Sequence, residues 1–298
     1  MRLPRSGVPT GAPTGAVGPA RIAVSARMVA PARAASSALP LALALLLAGP
    51  SGAAAQDPER NGHDVQVHVP ESLDPAAVTP MKVPFAVGEN LTYEVRFGRK
   101  VVGEGFLRVN GVQDIRHRPA YQVGMGLDGS MWPWSIKYRF DSWMDIENLA
   151  SYRFVQDQTG VDARYRAYDI FPAERRWERT DAEDSGETLS DVPLDQVSFL
   201  YYVRTLPLEV GDEYVLDQYF KEDGNPVRIR VLRKDRKTVP AGTFDTVVIE
   251  PVIRTSGLFG DGGQAEIHLT DDDRRIMVYM LSRVKWLPDI HLRLKDIS

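Results

Sequence analysis

The sequence contains no cysteine. The protein therefore cannot form a disulfide, bind a metal through thiolates, use a thiol nucleophile or carry a lipid on an N-terminal cysteine. Histidine is also scarce, and the five residues are scattered without a His-Glu-x-x-His pair. We expect His268 and His291 to lie on the polar, solvated side of alternating strands. The sequence thus predicts neither a metal site nor a cofactor.

Long hydrophobic runs are rare, and the clearest one, residues 39–49, is too short to span a bilayer. Ala-Ala-Ala follows it at residues 53–55, a small-residue pattern typical of signal-peptide cleavage. Counted from Met28, this order predicts a signal peptide over residues 28–55, preceded by a non-native or unstructured extension over 1–27. No later stretch has the length and apolarity of a transmembrane helix. We therefore expect an exported protein, soluble in the periplasm or outside the cell, and not a lipoprotein.

Basic residues are outnumbered by acidic ones once residues 1–55 are removed. Five of the 36 basic residues precede residue 56, whereas all 40 acidic residues follow it, which leaves nine more acidic than basic residues in the remainder. This balance argues against nucleic acid as a partner. The local basic run over residues 228–237 is expected to be a solvated sheet face, with contact to an acidic headgroup as the alternative.

Period-two alternation of apolar and polar residues dominates the chain after a flexible leader at residues 56–83. Typical runs are Val227/Ile229/Val231 and, around Tyr138, residues 136–141. We count about a dozen candidate strands. The pattern predicts an all-β, mainly antiparallel domain over residues 84–297, with strongly curved sheets that form a sandwich or an open half-barrel. Two lobes, 84–180 and 192–297, are an alternative division.

One segment departs from the strand pattern. Residues 195–206 begin with a candidate capping residue, Asp195, and carry apolar side chains around most of a helical circumference. This predicts a buried helix that plugs an opening in the sheet or packs between layers. Val-Gly-acid occurs twice, at residues 87–89 and 210–212, each time before a set of strands. A duplication would explain the repeat, and common turn chemistry is the alternative.

Four phrases occur together in a fixed order: Phe-Ala-Val-Gly-Glu at 85–89, Asp-Gln-Val-Ser-Phe-Leu-Tyr-Tyr-Val-Arg at 195–204, Pro-Ala-Gly-Thr-Phe at 240–244 and Leu-Thr-Asp-Asp-Asp-Arg-Arg-Ile at 269–276. On these motifs the chain resembles the bacterial exported proteins grouped as the domain of unknown function 3108. The resemblance covers about residues 84–297. It implies export and a β-rich fold, and it brings no established activity and no catalytic residue.

The search for catalytic motifs is negative. Residues 128–131 have one glycine of a Gly-x-Ser-x-Gly elbow and are interpreted as a turn. The aspartates at 271–273 lack the alternating spacing of a calcium loop and are interpreted as a hairpin turn. The glycines at 257–263 lie between strands and do not open a helix. The sequence therefore identifies no catalytic residue and favours a protein that is not an enzyme.

Large apolar side chains occur at turns where polar ones are usual. If these turns meet in space they would line an opening that binds lipid tails, aromatic groups or sugars, and the alternative is that each folds back onto the core. The candidate ligand-binding residues are Trp132, Trp134, Leu258, Phe259 and Trp286.

Three functions remain open at this point. The first is a non-enzymatic envelope protein that binds a lipid-like or other hydrophobic ligand in an apolar groove. The second is a structural or interaction module that docks an envelope protein partner through a sheet edge. The third is a hydrolase of the cell wall or of exported polysaccharide, which would need two facing carboxyl groups in a cleft.

Overall fold

The computed structural model describes residues 79–131, 134–160, 163–252, 264–283 and 288–298. In these residues the chain forms one large, curved antiparallel sheet with a single short α-helix. The all-β prediction and the open, curved form of the sheet are confirmed. In the described part of the chain, no helix is long and apolar enough to cross a membrane.

Fourteen strands make up the sheet. They are β1 (Asn90–Phe97), β2 (Lys100–Ile115), β3 (Arg118–Met131), β4 (Trp134–Asp145), β5 (Ser151–Gly160), β6 (Arg164–Phe171), β7 (Arg176–Arg179), β8 (Ser185–Glu187), β9 (Glu213–Leu216), β10 (Val227–Val239), β11 (Gly242–Val252), β12 (Gln264–Thr270), β13 (Met277–Arg283) and β14 (Ile290–Ile297). The α-helix is α1 (Gln196–Tyr202), and 3-10 helices occupy Pro172–Glu174, Val203–Thr205 and Glu222–Gly224.

Each strand pairs with its neighbours in sequence, except β8 with β9, and the first strand also pairs with the last. The spatial order runs from β8 back to β1, then to β14 and back to β9, so that β8 and β9 are the two edges. These edges follow one another in the chain, and the segment that joins them contains α1. The sheet therefore stays open between the two strands that are connected through the α-helix.

Alternation decides which side chains form the core. We call the sheet face that carries them the inner face and the opposite one the outer face. In β1 the inner residues Leu91, Tyr93 and Val95 are buried, and the same holds for Tyr138 and Phe140 in β4. Register places these rows side by side across the sheet, and they belong to one continuous hydrophobic cluster.

The predicted buried helix is present. Asp195 caps it, since one carboxylate oxygen accepts the amide hydrogens of Val197 at 2.7 Å and Ser198 at 3.0 Å. The other oxygen accepts a hydrogen bond from the Ser142 hydroxyl of β4 at 2.5 Å. Because five of the seven helical residues are buried, α1 is part of the core and its cap joins it to the sheet.

The two Val-Gly-acid turns have the same local structure. Gly88 and Gly211 have φ of +93° and +100°. In the first turn the Gly88 amide donates to the Val109 carbonyl at 2.9 Å, and in the second the Gly211 amide donates to the Val231 carbonyl at 2.9 Å. Each turn is followed by two paired strands, and it docks onto the second of them, β2 in one case and β10 in the other. The repeated sequence reflects a repeated structural unit, and duplication remains a prediction.

The β10–β11 hairpin extends beyond its pairing with β12. Its tip reaches β14, where the Ala241 amide donates to the Leu294 carbonyl at 3.0 Å. On the way, the Lys237 ammonium lies 3.6 Å from the ring centre of Tyr279, an outer-face residue of β13. Part of the outer face is therefore covered by the chain itself.

Candidate functional site

The predicted ligand-binding residues lie largely outside the described residues. This holds for Trp132, Leu258, Phe259 and Trp286, while Trp134 begins β4 with its side chain outside the description. Because all neighbouring strands are antiparallel, the connections β3–β4, β11–β12 and β13–β14 leave the sheet at the same end. The proposal that these residues line an opening is compatible with that topology and otherwise stays a prediction.

The inner face of β4, β5 and β6 carries polar side chains among aromatic ones. Register places Phe140, Gln156 and Arg166 in one row across the three strands. The next row contains Tyr138 and Gln158. Gln156, Gln158 and Arg166 are all buried, and Arg166 is only 6% exposed. Buried polar groups need hydrogen-bonding partners, so this part of the interior is unlike an ordinary hydrocarbon core.

The inner face of β10 to β14 has a different composition. Its buried residues are almost entirely aliphatic: Ile229 and Val231 in β10, Val247 and Ile249 in β11, Ala265 and Ile267 in β12, Met280 in β13 and Ile290 in β14. They belong to the same hydrophobic cluster as the aromatic residues of β4 to β7. The interior is therefore asymmetric, with one apolar wall and one wall that combines aromatic rings with hydrogen-bonding groups.

A second cation lies close to Arg166. Lys221, in the connection between β9 and β10, places its ammonium 4.8 Å from the ring centre of Tyr168 and 4.3 Å from that of Trp177. Burial lowers the pKa of Lys221 and the charge of Arg166 lowers it further, whereas the carboxylates of Asp184 and Asp223 raise it. Within the described residues, no carboxylate forms an ion pair with Arg166 or Lys221.

Aromatic rings pack around this ammonium. Phe220 contacts Phe154, Tyr168 and Trp177, with ring centres 6.1, 5.2 and 6.0 Å apart. Phe220 belongs to the half of the chain after α1, whereas the other three rings come from β5, β6 and β7. The cluster therefore joins the two halves of the sheet beside its open edges, where β8 and β9 do not pair.

Arg204 forms a second buried charged cluster, at the end of the helical segment. It is 4% exposed, and its guanidinium donates to both carboxylate oxygens of Glu89, at 2.7 and 2.8 Å. It also donates to the carbonyls of Pro84 at 3.2 Å and Arg274 at 3.0 Å. Three of the four phrases that carry the family resemblance thus meet at this one side chain.

An open pocket of about 920 Å³ lies beside this junction. Its charged lining residues are Lys82, Glu89, Arg204, Asp273, Arg274 and Arg275. Three of the four cations are neutralised, because Arg204 pairs with Glu89, Arg274 with Asp272 and Arg275 with Asp271. The pocket therefore lacks a concentration of uncompensated charge.

Two buried carboxylates are used for structure. Asp195 is the helix cap described above. Burial raises its pKa, and the hydrogen bonds that it accepts oppose this rise. Asp145 accepts hydrogen bonds from Arg118, at 3.0 Å, and from the Tyr152 hydroxyl. Both carboxylates are thus held by neighbouring donors, which does not favour the hydrolase hypothesis.

The expectation that His268 is solvated is wrong. His268 lies on the outer face of β12 as the alternation predicts, yet it is 1% exposed. The extended β10–β11 hairpin packs over this part of the outer face, and Tyr279 contacts the imidazole with ring centres 5.1 Å apart. Burial, together with the charge of Lys237, lowers the pKa of His268 to about 4. His291 is partly buried, and its Nδ1 shares a hydrogen bond with the Tyr279 hydroxyl at 2.7 Å.

The basic run on β10 forms a solvated face that is neutralised by ion pairs. Arg230 pairs with Glu250, Arg233 with Glu266 and Lys234 with Asp271. In the ranges given above, no cluster of three or more histidine or acidic residues is arranged to hold a metal ion. Arg166 and Lys221, unlike these residues, form no ion pair with a carboxylate within the described ranges. Sequence reasoning missed these two because nothing local to either marks an inward-facing cation; the Arg166 position in the β6 alternation is the only available signal.

The fold and its interior define an open antiparallel β protein with a mixed polar and aromatic inner wall. The family model for "Protein of unknown function (DUF3108)" matches residues 92–292. The chain belongs to this family, and the resemblance inferred from the four motifs is confirmed. No functionally curated protein is significantly similar to the chain.

Three solved structures are similar in outline, each with 11% sequence identity. A β-barrel-like protein of domain of unknown function DUF1849 from Brucella abortus has a TM-score of 0.48 and aligns over 71% of this chain and 97% of its own. A protein described as exported, from Bacteroides fragilis, has a TM-score of 0.35 over 74% and 100%. A protein described as a lipoprotein, from Parabacteroides distasonis, has a TM-score of 0.33 over 72% and 98%. These similarities are too low to transfer a function.

Proposed function

We propose that this protein is an exported, non-enzymatic binding protein of the cell envelope, and that it holds a ligand with a substantial apolar part against the inner face of its sheet. The observation that carries the proposal is the asymmetry of the interior. The inner face of β10 to β14 is aliphatic, whereas that of β4 to β7 combines aromatic rings with the buried amides Gln156 and Gln158. An interior that serves packing alone has little use for such groups, whereas ligand sites combine apolar surface with a few polar ones.

Two further observations support binding over docking through a sheet edge. The edge strands β8 and β9 have three and four residues, so they offer few unpaired backbone groups to a partner strand. The strand ends between which the candidate residues Trp132, Leu258, Phe259 and Trp286 occur in the sequence, and at which Trp134 begins β4, also lie at one common end of the sheet. These side chains would contribute apolar contact to the ligand.

The test uses tryptophans on opposite faces of the sheet. Trp177 is an inner-face residue of β7, and Trp143 is an outer-face residue of β4. Brominated dodecanol quenches tryptophan fluorescence on contact, so it should quench the wild-type protein in a saturable way. We expect Trp177→Phe to reduce the quenched fraction. Trp143→Phe, the matched control, removes emission that the ligand does not quench and should raise that fraction.

Organic extraction and mass spectrometry of protein purified without detergent from its own organism provide an independent measurement. An apolar molecule recovered in near-stoichiometric amount is the expected result. Absence of saturable quenching, together with repeated recovery of nothing, would contradict the proposal.

A further inference from the structure

Two cations, Arg166 on β6 and Lys221 in the β9–β10 connection, form no ion pair with a carboxylate in the part of the chain that the structure describes. Arg166 is 6% exposed and Lys221 is partly buried. Both are close to Tyr168, because the Lys221 ammonium lies 4.8 Å from its ring centre and Arg166 hydrogen-bonds its hydroxyl. Burial raises the pKa of that hydroxyl, and the charge of Arg166 opposes the rise. Two like charges held together away from water cost free energy. A negative charge that neutralises both would remove much of this cost.

Arg204, which is also buried, has partners within the protein that neutralise its charge. Arg204 has both oxygens of Glu89 and two backbone carbonyls around its guanidinium. Arg166 has no comparable carboxylate among the described residues. Arginine presents a planar fork that suits carboxylate and phosphate oxygens, and lysine adds a movable donor.

The surroundings of the cations resemble one end of an amphiphile site. Gln156 is the direct cross-strand neighbour of Arg166, so an amide and a guanidinium project together from β5 and β6. The Lys221 ammonium lies over the faces of Tyr168 and Trp177, which fix it without neutralising its charge. The aliphatic residues of β10 to β14 belong to the same hydrophobic cluster as these rings, and an acyl chain would pack against this cluster.

We infer that Arg166 and Lys221, with Gln156 beside them, form a binding site for the anionic headgroup, a carboxylate or a phosphate, of an amphiphilic ligand. This inference rests on the proposed function, because the apolar interior supplies the contact for the ligand's tail. The headgroup would lie between β6 and the β9–β10 connection, next to the open edges of the sheet.

Four probes separate the headgroup from the tail: dodecanoate, dodecyl phosphate, dodecanol and inorganic phosphate, titrated by calorimetry into the full chain. We expect the wild-type protein to bind the two anionic amphiphiles about a hundredfold more tightly than dodecanol, as two charged hydrogen bonds imply. Inorganic phosphate should bind more weakly than dodecyl phosphate.

Two variants and one matched control assign the effect. Arg166→Gln and Lys221→Gln should each lower the affinity for the anionic probes about tenfold and leave that for dodecanol unchanged. Arg236→Gln removes an exposed arginine of the β10–β11 hairpin and should change nothing. Circular dichroism checks that each variant is folded, and the wild-type comparison of charged and neutral probes needs no variant.

The possible failures are distinguishable. Equal wild-type affinity for dodecanol and dodecyl phosphate would overturn the anion site and leave the proposed function standing. Equal affinity for inorganic phosphate and dodecyl phosphate would support the anion site and contradict an amphiphile as its ligand. Failure of all four probes to bind would overturn both.

Discussion

Arg204 and Glu89, 115 residues apart in the chain, form a two-point ion pair in which the two terminal guanidinium nitrogens donate to the two carboxylate oxygens. The pair joins the end of the helical segment to the turn before β1. The Phe85 and Tyr201 rings pack against each other beside it, with centres 5.1 Å apart. Glu89 and Arg204 are each the last residue of a phrase that carries the family resemblance, so the shared motifs mark a structural junction.

Removal of one partner of this pair should be strongly destabilising. Arg204→Met leaves the Glu89 carboxylate nearly buried and uncompensated, which costs about 3–5 kcal/mol of unfolding free energy. The double variant Glu89→Gln/Arg204→Met should lose less than the sum of the two single losses. Urea unfolding measures all three. Arg274→Ala is the control, because Arg204 uses only the backbone carbonyl of Arg274; equal losses in control and test would contradict this assignment.

His268 should make the protein less stable in mild acid. Its pKa is lowered to about 4 in the folded protein by burial and by Lys237, despite the carboxylates of Asp235 and Glu266. Between pH 6.5 and 4 the unfolded chain therefore binds a proton that the folded chain does not, so the stability falls as the pH is lowered through this range. The contribution is at most about 3 kcal/mol.

Urea unfolding at pH 7 and at pH 4.5 measures this effect. His268→Gln should lose less stability between the two pH values than the wild type does. His117→Gln alters an exposed histidine in the β2–β3 turn and should behave as the wild type. An unchanged pH dependence in His268→Gln would show that other groups are responsible.

Phe220 should contribute strongly to stability because it joins the two halves of the sheet. Phe220→Ala removes contacts with rings from β5, β6 and β7 and leaves a cavity, at a cost of about 3–5 kcal/mol. Thermal unfolding gives the loss. Val215→Ala, an exposed residue of the edge strand β9, should change stability by less than about 0.5 kcal/mol. A small effect of Phe220→Ala would mean that the halves are joined mainly elsewhere.

Gly88 and Gly211 should respond alike to substitution. Both have φ near +100°, where an L-residue is strained, and a Cβ added at either would meet no atom within 4 Å. Gly88→Ala and Gly211→Ala should therefore each cost about 1–3 kcal/mol through backbone strain alone. Val87→Ala, in the same turn and 55% exposed, serves as the control. Clearly different losses at the two glycines would argue against equivalent turns.

The sequence predicted much of the fold because alternation and capping are local signals. The strand that contains Tyr138 and Phe140 and the helix that begins after Asp195 occur where the pattern placed them. The prediction for His268 failed for a specific reason: alternation identifies the face of a strand, but it does not identify what covers that face. The β10–β11 hairpin, whose tip contacts β14, covers it.

The candidate site was less predictable. Apolar turn residues attract notice in a sequence because they depart from the usual composition of turns. An inward arginine in an alternating strand does not, since Arg166 is one of many charged residues in β6 and its neighbours. Lys221 was equally hidden, because its contacts with Tyr168 and Trp177 join segments that are more than 40 residues apart in the chain.

By itself, the sequence determined the absence of thiol chemistry, the antiparallel β class, the capped helix and membership of a family, because each depends on composition, short-range period or motif order. Tertiary structure alone decided that β1 pairs with β14, that the edges β8 and β9 remain open, and that Glu89 neutralises Arg204 while Arg166 and Lys221 lie together without such a partner among the described residues. Pairing across the sheet and the burial of charge depend on contacts between distant segments, and no local pattern encodes them.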